Sequence, residues 1–195
     1  MSTPLLMLDV DGVILPLPEL ELEADESGEL WPTGRRTSLG ELETNLRSAW
    51  GDSERFLPLG TTEERVYSPT MINALVQLVN DAHAHVVWHT SWVIWPEMLD
   101  DLIARLSLPA GVQLDGTGSH PRAWSRTKRS AIRNRIVAFR EHVANPGPVV
   151  VIDDDARDWG IELSRLLGAE VIMPRPTMGM EPSDIERART VLASG

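Results

Sequence analysis

Two kinds of apolar pattern alternate along this chain. Short unbroken runs end in polar or glycine turns, and between them lie stretches whose apolar residues return at about every third or fourth position. Runs of the first kind suit strands buried on both faces, as in a parallel sheet covered by helices. Leu5-Leu6-Met7-Leu8 is the first, and the β-branched Val10, Val13 and Ile14 with Gly12 mark a strand-to-turn exit. Ser68-Pro69 then opens a helix, with Ser68 as N-cap, Pro69 at the first helical position and Ile72, Leu75, Val76 and Val79 on one face. His85 to Thr90 reads as a second strand, Pro96 to Leu108 as a helix, and Val112 to Leu114 as a short third strand. Residues 115–121 form a Gly/Ser/Pro loop, and Thr127 to Val143 a long helix stopped by Asn145-Pro146-Gly147-Pro148. Val149 to Ile152 is a fourth strand, 158–167 a short helix, and Glu170 to Met173 a fifth strand. Pro182 to Leu192 is a closing helix with Ser183 near its cap. Strands alternating with helices predict an α/β fold, a doubly wound parallel sheet of about five strands.

Residues 15–66 break this rhythm. Pro16, Pro18, Pro32 and Pro58 punctuate them, Glu19 to Glu29 is acidic, and apolar periodicity is poor. One helix stands out over Leu39 to Trp50, where Ser38 and Glu41 have capping-box spacing. The expectation is a single domain over 1–195, with 15–66 a flap or small cap over the end of the first strand. Trp31 and Trp50 fit the small core of such a cap.

Composition narrows the chemistry. The chain has 195 residues and no cysteine, which removes disulfides, thiolate metal sites and a cysteine nucleophile. Its net charge of −11 disfavours non-specific binding of nucleic acid by the whole surface. No stretch is apolar enough to span a membrane, and the N-terminus lacks a signal-peptide layout, so cytoplasm is the expected location.

The first strand ends in Asp9-Val10-Asp11-Gly12-Val13. Side chains at such an end enter the crevice where open α/β sheets bind ligands. Two neighbouring carboxylates repel unless a cation or hydrogen bonds compensate, and a hard divalent ion, Mg²⁺ above all, suits oxygen donors. This DxDGx pentapeptide resembles the first motif of the haloacid dehalogenase (HAD) phosphohydrolase superfamily. The resemblance implies an aspartyl nucleophile at Asp9 and a general acid/base at Asp11.

Three further positions resemble the family's remaining motifs in their usual order. The second strand closes on Thr90, with Ser91 as the neighbouring alternative, resembling the motif whose hydroxyl holds a phosphate oxygen. Lys128 near the start of the long helix resembles the charge-neutralising lysine, although Arg126 and Arg129 are close enough to serve instead. A cation at a helix N-terminus opposes the helix dipole, which makes sense if both face an anion. Val149 to Ile152 runs into Asp153-Asp154-Asp155, resembling the strand with paired acids that holds Mg²⁺. Metal ligands are then Asp9, the Asp11 carbonyl and Asp153 or Asp154, with Asp158 a possible outer contributor. A narrower likeness, through Trp88-His89-Thr90-Ser91-Trp92 and the doubled acid, is to the small HAD domains of bacterial RNA-repair proteins and to polynucleotide 3′-phosphatases.

The resemblance implies a Mg²⁺-dependent phosphatase acting through an aspartyl-phosphate on a phosphomonoester. That substrate is a nucleotide, a nucleic-acid end or a small metabolite. A phosphotransferase on the same fold, or a non-catalytic phospho-acceptor, are the alternatives, and a mere acceptor has no need of Asp11. The basic run Arg122 to Arg140 is either a track for a phosphorylated polymer or a solvated face. His83, His85, His89, His120 and His142 lack zinc-site spacing and read as satisfied or exposed. Met178-Gly179-Met180 reads as a flexible loop without a role.

Overall fold

The computed structural model describes residues 2–24, 30–114 and 121–195. Strand β1 (Thr3–Leu8) leads into two small hairpins, β2 (Leu20–Ala24) with β3 (Leu30–Arg35) and β4 (Glu54–Phe56) with β5 (Arg65–Tyr67), around helix α1 (Leu39–Trp50). Helix α2 (Pro69–Ala82), β6 (His85–Trp88), α3 (Pro96–Arg105) and β7 (Val112–Gln113) follow. Helix α4 (Pro121–His142), β8 (Pro146–Ile152), α5 (Gly160–Leu167), β9 (Glu170–Ile172) and α6 (Pro182–Leu192) complete the chain. The main sheet is five-stranded and parallel, in the order β7-β6-β1-β8-β9. This is the doubly wound architecture that the alternation of apolar patterns predicts.

The unbroken apolar runs fall where such a sheet needs them. Leu5 to Leu8 of β1 and Val149 to Ile152 of β8 are buried, since both strands are central and covered on each face. Helices α2 and α6 pack together, as do α4 and α5, and these pairs close the core. Among the described residues no helix is long and apolar enough to cross a membrane.

Two sequence expectations need correction. Helix α4 begins at Pro121, inside what reads as loop, and not at Thr127. Proline fits the first helical position, so it opens this helix where its composition signals a break. The remainder of the expected loop, 115–120, lies outside the described residues, as do His120 and much of the acidic run. Second, residues 15–66 hold four strands besides α1. They are short and joined only in pairs, and ribbons with free edges accommodate Pro32 within β3.

Helix α1 carries its capping box: Glu41 N–H donates to Ser38 Oγ at 3.3 Å and Ser38 N–H to Glu41 Oε2 at 2.7 Å. Leu42, Leu46 and Val66 form a small core of their own, with Leu39 and Trp50 packed against it. Residues 175–180 hold this part of the molecule down. Met180 N–H donates to the Val13 carbonyl and Leu17 N–H to the Pro176 carbonyl, both at 2.8 Å. Asn45 Nδ2 and Trp50 Nε1 donate to the carbonyls of Thr177 at 3.0 Å and Met180 at 2.8 Å. Met178-Gly179-Met180 is thus a clamp and not a free loop. Gly179 has φ +65°, and a β-carbon there would meet the Val13 carbonyl oxygen at 2.9 Å.

Helix α2 starts from a polar knot centred on the buried Ser68. Ser68 Oγ accepts from Met71 N–H at 3.1 Å and donates to Asp52, whose carboxylate also accepts from Thr70 N–H at 3.1 Å and Thr70 Oγ1 at 2.6 Å. Burial works against an ionised Asp52, but these donors outweigh it and hold its carboxyl below the usual range. Ser68→Ala is expected to lower the unfolding free energy by about 1–2 kcal/mol in urea titrations. A loss of only a tenth or two would show that the knot does not secure α2.

Candidate active site

Strands β6, β1 and β8 end at one level. Leu8 is in register with Trp88 on one side and Ile152 on the other, so the next residue of each strand falls in one row. The backbone continues that pairing: His89 N–H donates to Leu8 O at 3.0 Å and Asp9 N–H to Ile152 O at 3.1 Å. Asp9, His89 and Asp153 therefore stand side by side. All three are buried, and each offers a ligand atom within 4.8 Å of the others. The strand order reverses between β1 and β8, the crevice where open α/β sheets take their ligands.

A buried ammonium ties the row together. Lys128 Nζ lies 2.7 Å from Asp153 Oδ2 and pairs with Asp9 Oδ2. Because α4 starts at Pro121, Lys128 is in the helix interior and not at the N-terminus, so the helix-dipole reading of its position fails. Attraction to the two carboxylates accounts for it instead. Burial alone would lower the Lys128 ammonium, but Asp9 and Asp153 outweigh it and raise it. Burial likewise opposes the ionised form of Asp153, yet the His89 hydrogen bond and Lys128 hold it well below the carboxylate range. His89 Nε2 is 3.0 Å from Asp153 Oδ2, and its buried Nδ1 has no partner among the described residues. An ionised carboxylate at Nε2 assigns the proton there.

Asp154 is the uncompensated member. It is half-buried, and burial followed by repulsion from Asp9 and Asp153 pushes its carboxyl up to about 7. It stands against Gly12, whose φ is +70° and where a β-carbon would run into the Asp154 carboxyl. The glycine of the pentapeptide is therefore required twice, for its backbone angle and for that space. Asp155 is exposed and donates its N–H to Asp153 Oδ1 at 2.9 Å. Asp158, also exposed, ends a 3-10 turn over Ala156–Asp158.

Asp11 turns toward the other wall. Trp92 Nε1 donates to Asp11 Oδ2 at 2.8 Å, while the buried Oδ1 has no partner among the described residues. Burial raises the Asp11 carboxyl, and the indole hydrogen bond only partly offsets this. A carboxyl shifted upward in this way is better suited to hold and give up a proton as an acid catalyst. Thr90 is fully buried, and its Oγ1 accepts from Trp92 N–H at 3.3 Å, capping the 3-10 turn Ser91–Ile94. Ser91 faces the cavity that Asp11 lines.

Three carboxyl groups, Asp9, Asp153 and Asp154, against the single charge of Lys128 leave an excess of negative charge. Oxygen donors in that state fit a hard divalent cation. The residues present thus fit Mg²⁺, with Asp9, Asp153, Asp154 and the Asp11 carbonyl as the groups to hold it. A family model described as the HAD domain in Swiss Army Knife RNA repair proteins matches residues 5–185. The chain belongs to that family. HAD membership supports phosphohydrolase-type chemistry, and HAD domains typically use a divalent metal. No curated protein matches the chain.

In this HAD chain the structure brings Asp9, Lys128 and Asp153 into direct contact, sets Asp154 beside them, and puts Asp11 and Ser91 on one cavity. Sequence reasoning missed two residues. His89 reads as one of five scattered histidines, but it follows the last residue of a strand parallel to β1, as Asp9 follows β1. Counting from the strand ends would have found it. Trp92 carries no signal in sequence for its bond to Asp11. Of the basic run, Arg129 pairs with Glu162 and Arg140 donates to the Leu167 carbonyl.

The charge at Asp154 sets a pH dependence. Its folded carboxyl titrates above its unfolded one, so ionisation destabilises the fold progressively as pH rises from about 4 toward 7. With divalent ions chelated, Asp154→Asn is expected to stabilise the protein at pH 7 and to lose that advantage toward pH 4. Thermal denaturation across that range checks it, and a gain independent of pH would show that repulsion is not its source.

Proposed function

We propose that this chain is a Mg²⁺-dependent phosphatase that acts through an aspartyl-phosphate at Asp9, on a nucleotide or a nucleic-acid end. The observation that carries the reading is the buried row of Asp9, Lys128 and Asp153, with Asp11 two residues beyond Asp9. When bound, Mg²⁺ would supply positive charge that lets an anionic nucleophile and an anionic phosphate approach.

The chain's own residues do the rest. Asp9 Oδ1 is held by Val10 N–H at 2.7 Å, which fixes the carboxylate beside Lys128. The Asp9 carboxylate forms a bond to phosphorus as the bond to the leaving oxygen breaks. Asp11 gives its proton to that oxygen, releasing the alcohol. The Asp11 carboxylate then takes a proton from water, whose oxygen attacks phosphorus and returns Asp9 and inorganic phosphate. Lys128 and the hydroxyl of Thr90 or Ser91 serve the phosphoryl oxygens, where charge spreads in the loose transition state. Residues 15–66 act as a flap beside this centre, and the family description, which places such domains in RNA repair proteins, supports the nucleic-acid end as substrate.

The test is release of inorganic phosphate from nucleotides, terminally phosphorylated oligonucleotides and sugar phosphates, with and without Mg²⁺. Asp9→Asn is expected to lower kcat/KM by at least about a thousandfold, roughly 4 kcal/mol of transition-state stabilisation, with the circular dichroism spectrum unchanged. Retained turnover in a clean Asp9→Asn preparation would overturn the reading, and transfer to an added alcohol in place of water would convert it to a phosphotransferase.

A further inference from the structure

Asp11 lines a cavity of about 510 Å³ whose walls do not include Lys128. Its walls come from two places. Leu59 and Arg65 belong to the segment between β1 and α2, whereas Trp92, Trp95 and Met98 follow β6. If Asp11 protonates the leaving oxygen, whatever occupies this cavity is the leaving group and not the phosphoryl group. Its volume falls within the range that holds small organic ligands and exceeds what a phosphate needs.

The wall chemistry narrows the occupant. Trp95 and Leu59 are 41% and 45% exposed, so the cavity presents an indole face and an aliphatic side chain to its occupant. A polyhydroxylated sugar against them would leave hydroxyls without partners. A flat aromatic ring would not, and an exposed indole is a stacking platform for a base. Arg65 is half-buried, and its guanidinium makes no hydrogen bond or ion pair among the described residues. Neighbouring Arg35 and Arg55, by contrast, are paired with Glu63 and Glu43. The Arg65 charge also acts on Asp11, and a guanidinium with its N–H groups unpaired among the described residues suits a phosphate. Glu97, also on the cavity, offers an acceptor for the N–H groups of a base edge.

We propose that this cavity is a leaving-group subsite for a nucleotidyl group, in which Trp95 stacks the terminal base and Arg65 engages the next phosphate along the strand. The proposal rests on the phosphatase reading for its placement beside the reacting bond. It makes Trp95 and Arg65 specificity determinants that set KM, separate from the groups that set kcat. Selection is then by an aromatic ring plus one further anion, so a single nucleotide satisfies half of the subsite and a dinucleotide all of it.

The full chain with Mg²⁺ is assayed on a terminally phosphorylated dinucleotide (3′ and 5′ isomers), the matching mononucleotides and ribose phosphate. Trp95→Ala is expected to raise KM about tenfold, 1.4 kcal/mol, for every base-bearing substrate and to leave ribose phosphate unchanged. Trp95→Phe should recover most of that loss. Arg65→Ala should raise KM for the dinucleotide alone. An equal effect of Trp95→Ala on ribose phosphate, or none on the dinucleotide, would overturn the proposal. Calorimetric titration of the dinucleotide into Asp9→Asn and Asp9→Asn/Trp95→Ala separates the two readings. Turnover with affinity independent of Trp95 would sink the subsite and leave the phosphatase standing. Affinity dependent on Trp95, with no phosphoester turned over by the native chain, would sink the phosphatase and leave the subsite.

Discussion

The structure depends on a single electrostatic problem: acidic groups crowded at the ends of two adjacent buried strands. Asp9 and Asp153 are nearly inaccessible to water, and each buried charge would cost several kcal/mol without compensation. Lys128 supplies that compensation from the far side, which requires α4 to bring the middle of its length over the strand ends. His89 hydrogen-bonds Asp153 from the end of β6, which lies on the other side of β1. The parallel register of β6, β1 and β8 is what lets these groups meet, because a slip of one residue in any strand would turn its polar residue to the opposite face.

The same crowding separates the acids into different states. Lys128 contacts Asp9 and Asp153, and His89 also bonds Asp153, so that carboxyl stays ionised. Asp154 has neither partner and is pushed upward, while burial, with repulsion from Asp9, does the same for Asp11 beside Trp92. Pairs of carboxyls whose surroundings push their acidities apart are how an enzyme obtains a nucleophile and an acid from one residue type. Here the division follows from which neighbour each side chain meets.

Much of this was legible in sequence. The apolar runs at Leu5–Leu8 and Val149–Ile152 have one physical use, as central strands of a covered sheet, and the acids that end them mark the crevice. Ser68-Pro69 and Ser38 through Glu41 announce their helix starts because capping chemistry is local. What failed was chemistry decided at a distance. Pro121 has the same composition in a loop as at a helix start. Paired ribbons of three to six residues leave too little pattern to detect. The place of Lys128 in its helix, the bond from Trp92 to Asp11 and the clamp at 175–180 all arise from packing between segments far apart in the chain. Local pattern does not record such contacts.

That clamp has a consequence for how the molecule varies. Carbonyls following β9 receive hydrogen bonds from α1 and from the entry to the segment after β1, and the Val13 carbonyl accepts one from Met180 N–H. Three stretches near residues 13–17, 45–50 and 175–180 are therefore one structural part, although they lie far apart in the chain. A chimera that borrowed the hairpin segment from another protein of this kind would have to borrow the six residues after β9 with it. Drift in any one stretch should leave its mark on the other two.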